Sequence, residues 1–268
     1  MRPDDFNFLS KFLKDRSGLM LTQDKLYLVE SRLTPIARKY GHDSLDDFVA
    51  KFKFSRDEAL AVEVTEAMTT NESFFFRDNT PFDLFKNQVL PEMEANRPGK
   101  RMRIWCAAAS TGQEPYSLAM ILKEAWFKWG SWNIEITGTD ICTKVLNKAK
   151  QGHYSQFEVQ RGLPIQMLIK YFEQDGDVWK IKDEIRNMVR YKPFNLLDSF
   201  GAMGKFDVIY CRNVLIYFDQ QTKGDVLERM RRCIADDGTL FLGAAETVLG
   251  ITDKFEPVKG QRGMYKPA

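Results

Sequence analysis

Apolar residues recur at helical spacing through residues 4–68, in FNFLSKFLKDRSGL, DKLYLVESRLTPIARKYG and SLDDFVAKF, with short polar turns between them. That periodicity predicts a small all-helical domain at 1–68. Gly18 and Gly41 stand where helix C-caps are expected, and Ser44 with Asp47 has the form of a capping box with aspartate in the glutamate position. Beyond residue 100 the pattern changes to short apolar runs alternating with helices. MRIWCAAA, NIEITGTD and FDVIYCRN read as strands, as does TLFLGAAE after an Asp-Asp-Gly turn, while QEPYSLAMILKEAWFKW, CTKVLNKAKQG and QQTKGDVLERMRRCI read as helices. Strands alternating with helices predict an α/β domain at 91–268 with a doubly wound parallel sheet. Between Gly152 and Asn195 the alternation breaks, and the runs DVWKI and MVRYKPF predict an inserted subdomain, about 152–194, carrying a small antiparallel sheet.

Residues 69–90 join the two parts. Thr80 as N-cap, Pro81 and Asp83 mark a helix start, with the helix running to about Val89. Ahead of it lies TTNESFFFRD, a connecting segment with three consecutive phenylalanines. Joining the domains would account for Phe74, Phe75 and Phe76. It does not account for the polar residues Asn71, Ser73 and Arg77.

Composition adds limits. At 44% hydrophobic and 28% charged residues, the chain can bury a substantial core. A net charge of +2 gives no general nucleic-acid or membrane affinity. The N-terminus is acidic where a signal peptide would be basic, and no apolar run reaches the roughly 18 residues of a membrane span, so a cytoplasmic protein without direct membrane insertion is expected. Cys106, Cys142, Cys211 and Cys233 form no CxxC pair and only two histidines are present, so no metal is expected and the cysteines are read as reduced.

In doubly wound sheets, ligands bind beyond the carboxyl ends of the strands. The first strand here runs into AAASTGQEP, a turn of small residues; the second ends at Asp140, placed to accept from ribose hydroxyls; FDVIYC ends at Arg212 and Asn213. The turn has one glycine where a dinucleotide fingerprint has three, which argues against a pyrophosphate cradle and against a dehydrogenase. Glu114, just after the turn, would repel a diphosphate but suit an amine-bearing ligand such as S-adenosylmethionine, or it simply complements a helix N-terminus.

The pieces TNESFFFRD, GQEPYSLAM, GTDI, NLLD and YCRNVLIYFD, in this order, make the chain similar over nearly its whole length to the chemotaxis receptor glutamate methyltransferases, the CheR family. The resemblance implies a helical N-terminal domain, a linker that closes over S-adenosylmethionine, and a methyltransferase domain bearing a β-subdomain. It implies cofactor contacts at Asn71, Ser73, Arg77, Glu114, Asp140, Asn195, Leu196, Arg212 and Asn213, with serine at position 73 where threonine is common. The implied reaction forms glutamate methyl esters on chemoreceptor cytoplasmic helices, leaving S-adenosylhomocysteine as product. A glutamate with an ordinary pKa of about 4.3 is already ionised near neutral pH, so positioning and limited hydration are the demands on the protein. Arg77 and Tyr217 are the candidates for that geometry.

Lys25, Arg32 and Lys39, spaced by seven, form a candidate docking stripe for an acidic receptor helix, on a helix that Pro35 is expected to kink. Some family members bind a peptide at the receptor C-terminus through a glycine-rich extension of the β-subdomain. The short EQDGDV turn here predicts a protein, expected to be monomeric, that acts without that tether. Two alternatives remain at this stage: a methyltransferase for another substrate, including one acting on nitrogen, although CRNVLIYF replaces the Asn/Asp-Pro-Pro-aromatic run frequent in those enzymes, and a non-catalytic S-adenosylmethionine-binding signalling module.

Overall fold

Four helices, α1 (Pro3–Ser17), α2 (Leu26–Lys39), α3 (Leu45–Phe52) and α4 (Glu58–Met68), build the N-terminal unit. α1 shows why they form: Pro3 occupies its first turn, Asp4 and Asp5 face the positive end of the helix dipole, and Lys14 and Arg16 face the negative end. Gly18, at φ 76°, ends it by donating its N–H to the Lys14 carbonyl at 2.9 Å. Leu9 and Leu13 of α1 share one face and meet Val29 and Leu33 of α2, Phe48 and Val49 of α3, and Val64 of α4 in one core. The capping box expected at Ser44 is only half formed. Ser44 Oγ accepts from the Asp47 N–H at 3.1 Å, but the Asp47 carboxylate turns to His42 at 2.8 Å and Lys51 at 3.1 Å.

The computed structural model describes residues 1–268 in full and divides into two units, residues 1–70 with 217–223 and residues 71–216 with 224–268. In the first unit, the Met20 N–H donates to the Tyr217 carbonyl at 2.8 Å and Lys14 pairs with Asp219 at 2.6 Å. Asp219 also accepts from the Thr222 N–H at 2.7 Å, capping helix Gln220–Cys233. The Lys14 hydrogen bond and then the backbone N–H of Thr222 hold its carboxyl down at about 2. A depressed folded pKa contributes stability above the ordinary value of 3.8 and loses it as pH falls through about 2. Asp219→Asn is therefore expected to make acid unfolding shallower between about pH 4 and pH 2 than in the parent, followed by circular dichroism. Superimposable acid limbs would rule this contribution out.

The second unit carries ten strands: β1 (Arg101–Ala107), β2 (Asn133–Asp140), β3 (His153–Ser155), β4 (Phe172–Asp175), β5 (Val178–Ile181), β6 (Val189–Pro193), β7 (Phe206–Cys211), β8 (Ile234–Leu242), β9 (Phe255–Pro257) and β10 (Met264–Pro267). A seven-stranded sheet has the order β6-β2-β1-β7-β8-β10-β9, and β3-β5-β4 form a separate antiparallel sheet. The first five strands of the large sheet are parallel, while β10 runs antiparallel to both β8 and β9. β1 and β7 lie in the middle, where Ile104, Cys106, Val208 and Tyr210 are fully buried. All four cysteines are buried free thiols.

Four expectations change. MVRYKPF belongs to the main sheet, because β6 pairs in parallel with β2 from Ile136↔Val189 to Asp140↔Pro193. It is an edge strand with little continuous apolar character, so its sequence resembles that of a hairpin strand. Asp236, Asp237 and Gly238 form a bulge inside β8 rather than a turn before it, since Phe206 faces Ile234 and Val208 faces Thr239. The helix after the linker begins with Asn79, not Thr80, as its N-cap, and continues past Val89 to Asn96 through a π turn at Phe85–Val89. The run QEPYSLAMILKEAWFKW breaks at Ala125 into Gln113–Glu124 and Trp126–Trp129.

Candidate active site

β1 is paired with β2 on one side and β7 on the other, so the loops leaving β1 and β7 diverge at the switch point of the sheet. The loop after β1 is unusual in its backbone. Ala108 (φ 59°), Ser110 (φ 50°) and Gly112 (φ 94°) are all left-handed. Each non-glycine residue held there costs about 1–3 kcal/mol, strain that surrounding bonds must enforce. The enforcing bonds run from the Ala109 N–H to the Thr139 carbonyl at 2.8 Å and from the Ser110 N–H to Asp140 Oδ2 at 2.9 Å. Beneath the loop, Tyr154 of β3 donates to the Thr111 carbonyl at 2.8 Å, and a Cβ on Gly112 would stand 2.6 Å from the Tyr191 hydroxyl.

Asp140 thus ties two loops together, because its Oδ1 accepts from the Cys142 N–H at 2.9 Å. Asn195 follows β6 and accepts at Oδ1 from the Leu197 N–H at 3.0 Å, with Leu196 buried beside it.

The segment expected to join the domains is anchored in the second unit's own core. Phe75 is fully buried, with its ring 5.1 Å from Tyr154 and 5.6 Å from Phe172, and Phe76 packs 5.3 Å from Phe82. The Phe76 N–H donates to Ser117 Oγ at 3.0 Å, and Ser110 Oγ donates to the Asn71 carbonyl at 2.8 Å. Gly162, at φ 84°, lies so close against the Phe75 carbonyl that any side chain there would overlap it. Phe74 lies within cation–π range of two cations, with the Arg77 guanidinium 5.3 Å and the Arg161 guanidinium 4.3 Å from its ring centroid. Arg77 Nη1 donates to the Glu72 carbonyl at 3.0 Å, and Ser73 is half-buried beside them in the chain.

Arg212 is the hub of the site. Its side chain is 1% exposed and donates from Nη1 to Glu114 at 2.7 Å, and from Nη2 to Asp78 at 2.7 Å and the Arg77 carbonyl at 2.8 Å. Burial pushes the Glu114 carboxyl upward, and the adjoining Arg212 charge opposes that shift. One arginine therefore links the strap (Arg77, Asp78), the helix after β1 (Glu114) and the end of β7. Asn213 follows with φ 59°.

The structure thus brings Asn71, Arg77, Glu114, Asp140, Arg212 and Asn213 to the carboxyl ends of neighbouring strands. Lys25, Arg32, Lys39 and Tyr217 belong to the first unit. There Arg32 caps α4, donating to the carbonyls of Met68 at 2.7 Å and Thr69 at 3.1 Å, and Lys39 holds both oxygens of Glu63 at 2.8 Å. The expected stripe is therefore already engaged at two of its three positions. Sequence reasoning passed over Asp78 and Ser110, whose only signal was adjacency to Arg77 and to the small-residue turn.

The donor set fits S-adenosylmethionine. Carboxylates at Glu114 and Asp140 and amides at Asn71 and Asn195 suit amine, hydroxyl and adenine groups, whereas a carboxylate in the first helical turn after β1 opposes a diphosphate. No group of three or more His, Cys, Asp or Glu residues is arranged to hold a metal ion, and no helix is long and apolar enough to cross a membrane.

Residues 71–264 match the family described as CheR methyltransferase, SAM binding domain, and residues 4–69 match CheR methyltransferase, all-alpha domain. A chemotaxis protein methyltransferase of Pseudomonas putida is 40% identical, covering 98% of both chains. Another from Vibrio parahaemolyticus is 41% identical, covering 98% of this chain and 96% of its own, and a third from Vibrio cholerae is 40% identical with the same coverage. A strap pinned over the switch point of a methyltransferase sheet and full-length similarity lead to one conclusion: the chain belongs to the CheR family of S-adenosylmethionine-dependent chemotaxis methyltransferases.

Proposed function

We propose that this protein esterifies glutamate side chains on the cytoplasmic helices of chemoreceptors, acting as a cytoplasmic monomer. The observation that carries this is the Arg212 hub, which fastens the strap residues Arg77 and Asp78 to Glu114 at the ligand-binding end of the sheet. Asn71, Ser73, Arg77, Glu114, Asp140, Asn195, Leu196, Arg212 and Asn213 form the cofactor face. Bound there, S-adenosylmethionine supplies an electrophilic methyl group.

The residues supply placement and dryness. Glu114, paired with Arg212, holds the amine-bearing end of the ligand, and Asp140 accepts from its hydroxyls. Phe75 and Phe76 fix the strap, so water is excluded where a charged nucleophile would otherwise be strongly hydrated. A substrate glutamate arrives as its carboxylate, and no general base is required. Arg77 offers a planar donor fork to hold a carboxylate, of substrate or of cofactor, and Tyr217, assigned from the sequence, orients the substrate through its hydroxyl. Docking on the α2 face draws on Lys25, with Lys39 exchanging Glu63 for a receptor acid and Arg32 contributing its charge from the end of α4.

The hairpin between β4 and β5 turns on Gly176 and Asp177 alone, which supports action without a receptor C-terminal tether. The test incubates the protein with methyl-labelled cofactor and receptor cytoplasmic fragments, with and without their C-terminal peptide. Equal labelling of both, released as methanol in mild base, is expected. Label stable to base would indicate methylation on nitrogen, cofactor binding without transfer would indicate a signalling module, and dependence on the peptide would overturn the tether-free assignment.

A further inference from the structure

Glu246 lies in the turn after β8, in GAAET, and touches none of the residues assigned from the sequence except Asn213. Its carboxylate accepts four backbone N–H groups: Oε2 takes those of Asn213 at 2.8 Å and Gly243 at 2.6 Å, and Oε1 those of Val214 at 2.9 Å and Ile216 at 3.2 Å. Three of these donors come from the segment between β7 and helix Gln220–Cys233, where neither ladder nor helix supplies a partner. An ionised carboxylate is acceptor-only with about four lone-pair positions, a match for this set that only aspartate and glutamate side chains offer.

The neighbours are shaped around it. A Cβ on Gly243 would stand 2.7 Å from Glu246 Oε2 and 2.8 Å from Asn213 Nδ2, so only glycine leaves room. Asn213 is held at φ 59°, a conformation that the Glu246 bond to its N–H helps to enforce. The residue immediately before Asn213 is Arg212, whose side chain meets Glu114 and Asp78.

We propose that Glu246 is a positioning residue, locking Arg212–Ile216 into a rigid arm so that Arg212 and Asn213 are presented to the cofactor face in fixed register. It works wholly through backbone groups. Only the activity part of its test rests on the function proposed above.

The test compares full-length Glu246→Gln and Glu246→Asp with the parent in three measurements: amide hydrogen exchange, affinity for S-adenosylhomocysteine, and methyl transfer to receptor fragments. Glutamine replaces one acceptor oxygen with an NH2 group that confronts two N–H donors. Exchange in 213–217 is expected to accelerate about tenfold or more in Glu246→Gln, with β1 and β2 protected as before and product affinity weakened by a similar factor. Turnover should fall while KM for the receptor fragment changes little. Glu246→Asp, which keeps the carboxylate, should recover part of each loss and carries the same readouts if the glutamine variant does not fold. Unchanged exchange and affinity in folded Glu246→Gln, or a uniform loss of protection across all strands, would overturn the assignment. Should the parent bind product and show this exchange pattern yet label no receptor, the function would fail while the role of Glu246 stood.

Discussion

Arg212→Met is expected to destabilise the protein by about 3–5 kcal/mol, a large fraction of the roughly 5–15 kcal/mol that holds a typical domain folded. The substitution preserves much of the volume and removes the charge, leaving Glu114, Asp78 and the Arg77 carbonyl without the donor they share. Glu114 bears the largest penalty because it is the most enclosed of the three, and burial already pushes its carboxyl upward. Without the arginine that upward shift grows. A folded pKa above the unfolded value means that stability is present below about 4.5 and is lost as pH rises through the folded value. The deficit of Arg212→Met, measured by urea unfolding, should therefore shrink as the solution is acidified toward pH 4.5. Adding Glu114→Gln should recover much of the stability at neutral pH without recovering product binding. An unfolding midpoint equal to the parent's would show that the Arg212 hub is not what holds these elements together.

Much of this was legible in the sequence, and the boundary between what was and was not has a physical cause. Local signals were read well: helix period, apolar strand runs, Gly18 and Gly41 at helix ends, and the strands β1, β2 and β7 themselves. Partners far apart in the chain were not. β6 has the alternation of a hairpin strand, and only its long-range pairing with β2 places it in the main sheet. β9 and β10, three and four residues long, are too short to give a periodic signal. Glu246 is invisible for the same reason, because three of its four donors belong to a segment that only the fold brings to it.

The strap shows both sides of this. Its phenylalanines stood out in sequence, yet a role in joining two domains and a role in one domain's core leave the same apolar signature. The structure separates them through Tyr154, Phe172 and Phe82, the rings that surround Phe75 and Phe76. That anchoring has a consequence for Arg77. The backbone of the strap is fixed by Phe75, Phe76 and the bond from Arg212 to the Arg77 carbonyl, so the Arg77 side chain is free of structural duty apart from its contacts with Phe74 and the Glu72 carbonyl.

Arg77→Ala is accordingly expected to lower methyl transfer about a hundredfold or more, the scale on which misplacing a reacting group is felt, with stability unchanged within about 0.5 kcal/mol. Alanine keeps the carbonyl that Arg212 binds, and Arg161 remains to cover Phe74 and pair with Glu72 at 2.5 Å, so the strap should stay in place. Arg77→Lys should restore little, because an ammonium supplies the charge without the planar fork that grips a carboxylate through two parallel bonds. Product affinity decides which carboxylate the fork holds. If S-adenosylhomocysteine binds Arg77→Ala as tightly as the parent while turnover collapses, the fork serves the substrate glutamate; if affinity falls in step with turnover, it serves the cofactor. Turnover within about twofold of the parent in folded Arg77→Ala would remove Arg77 from the chemistry altogether.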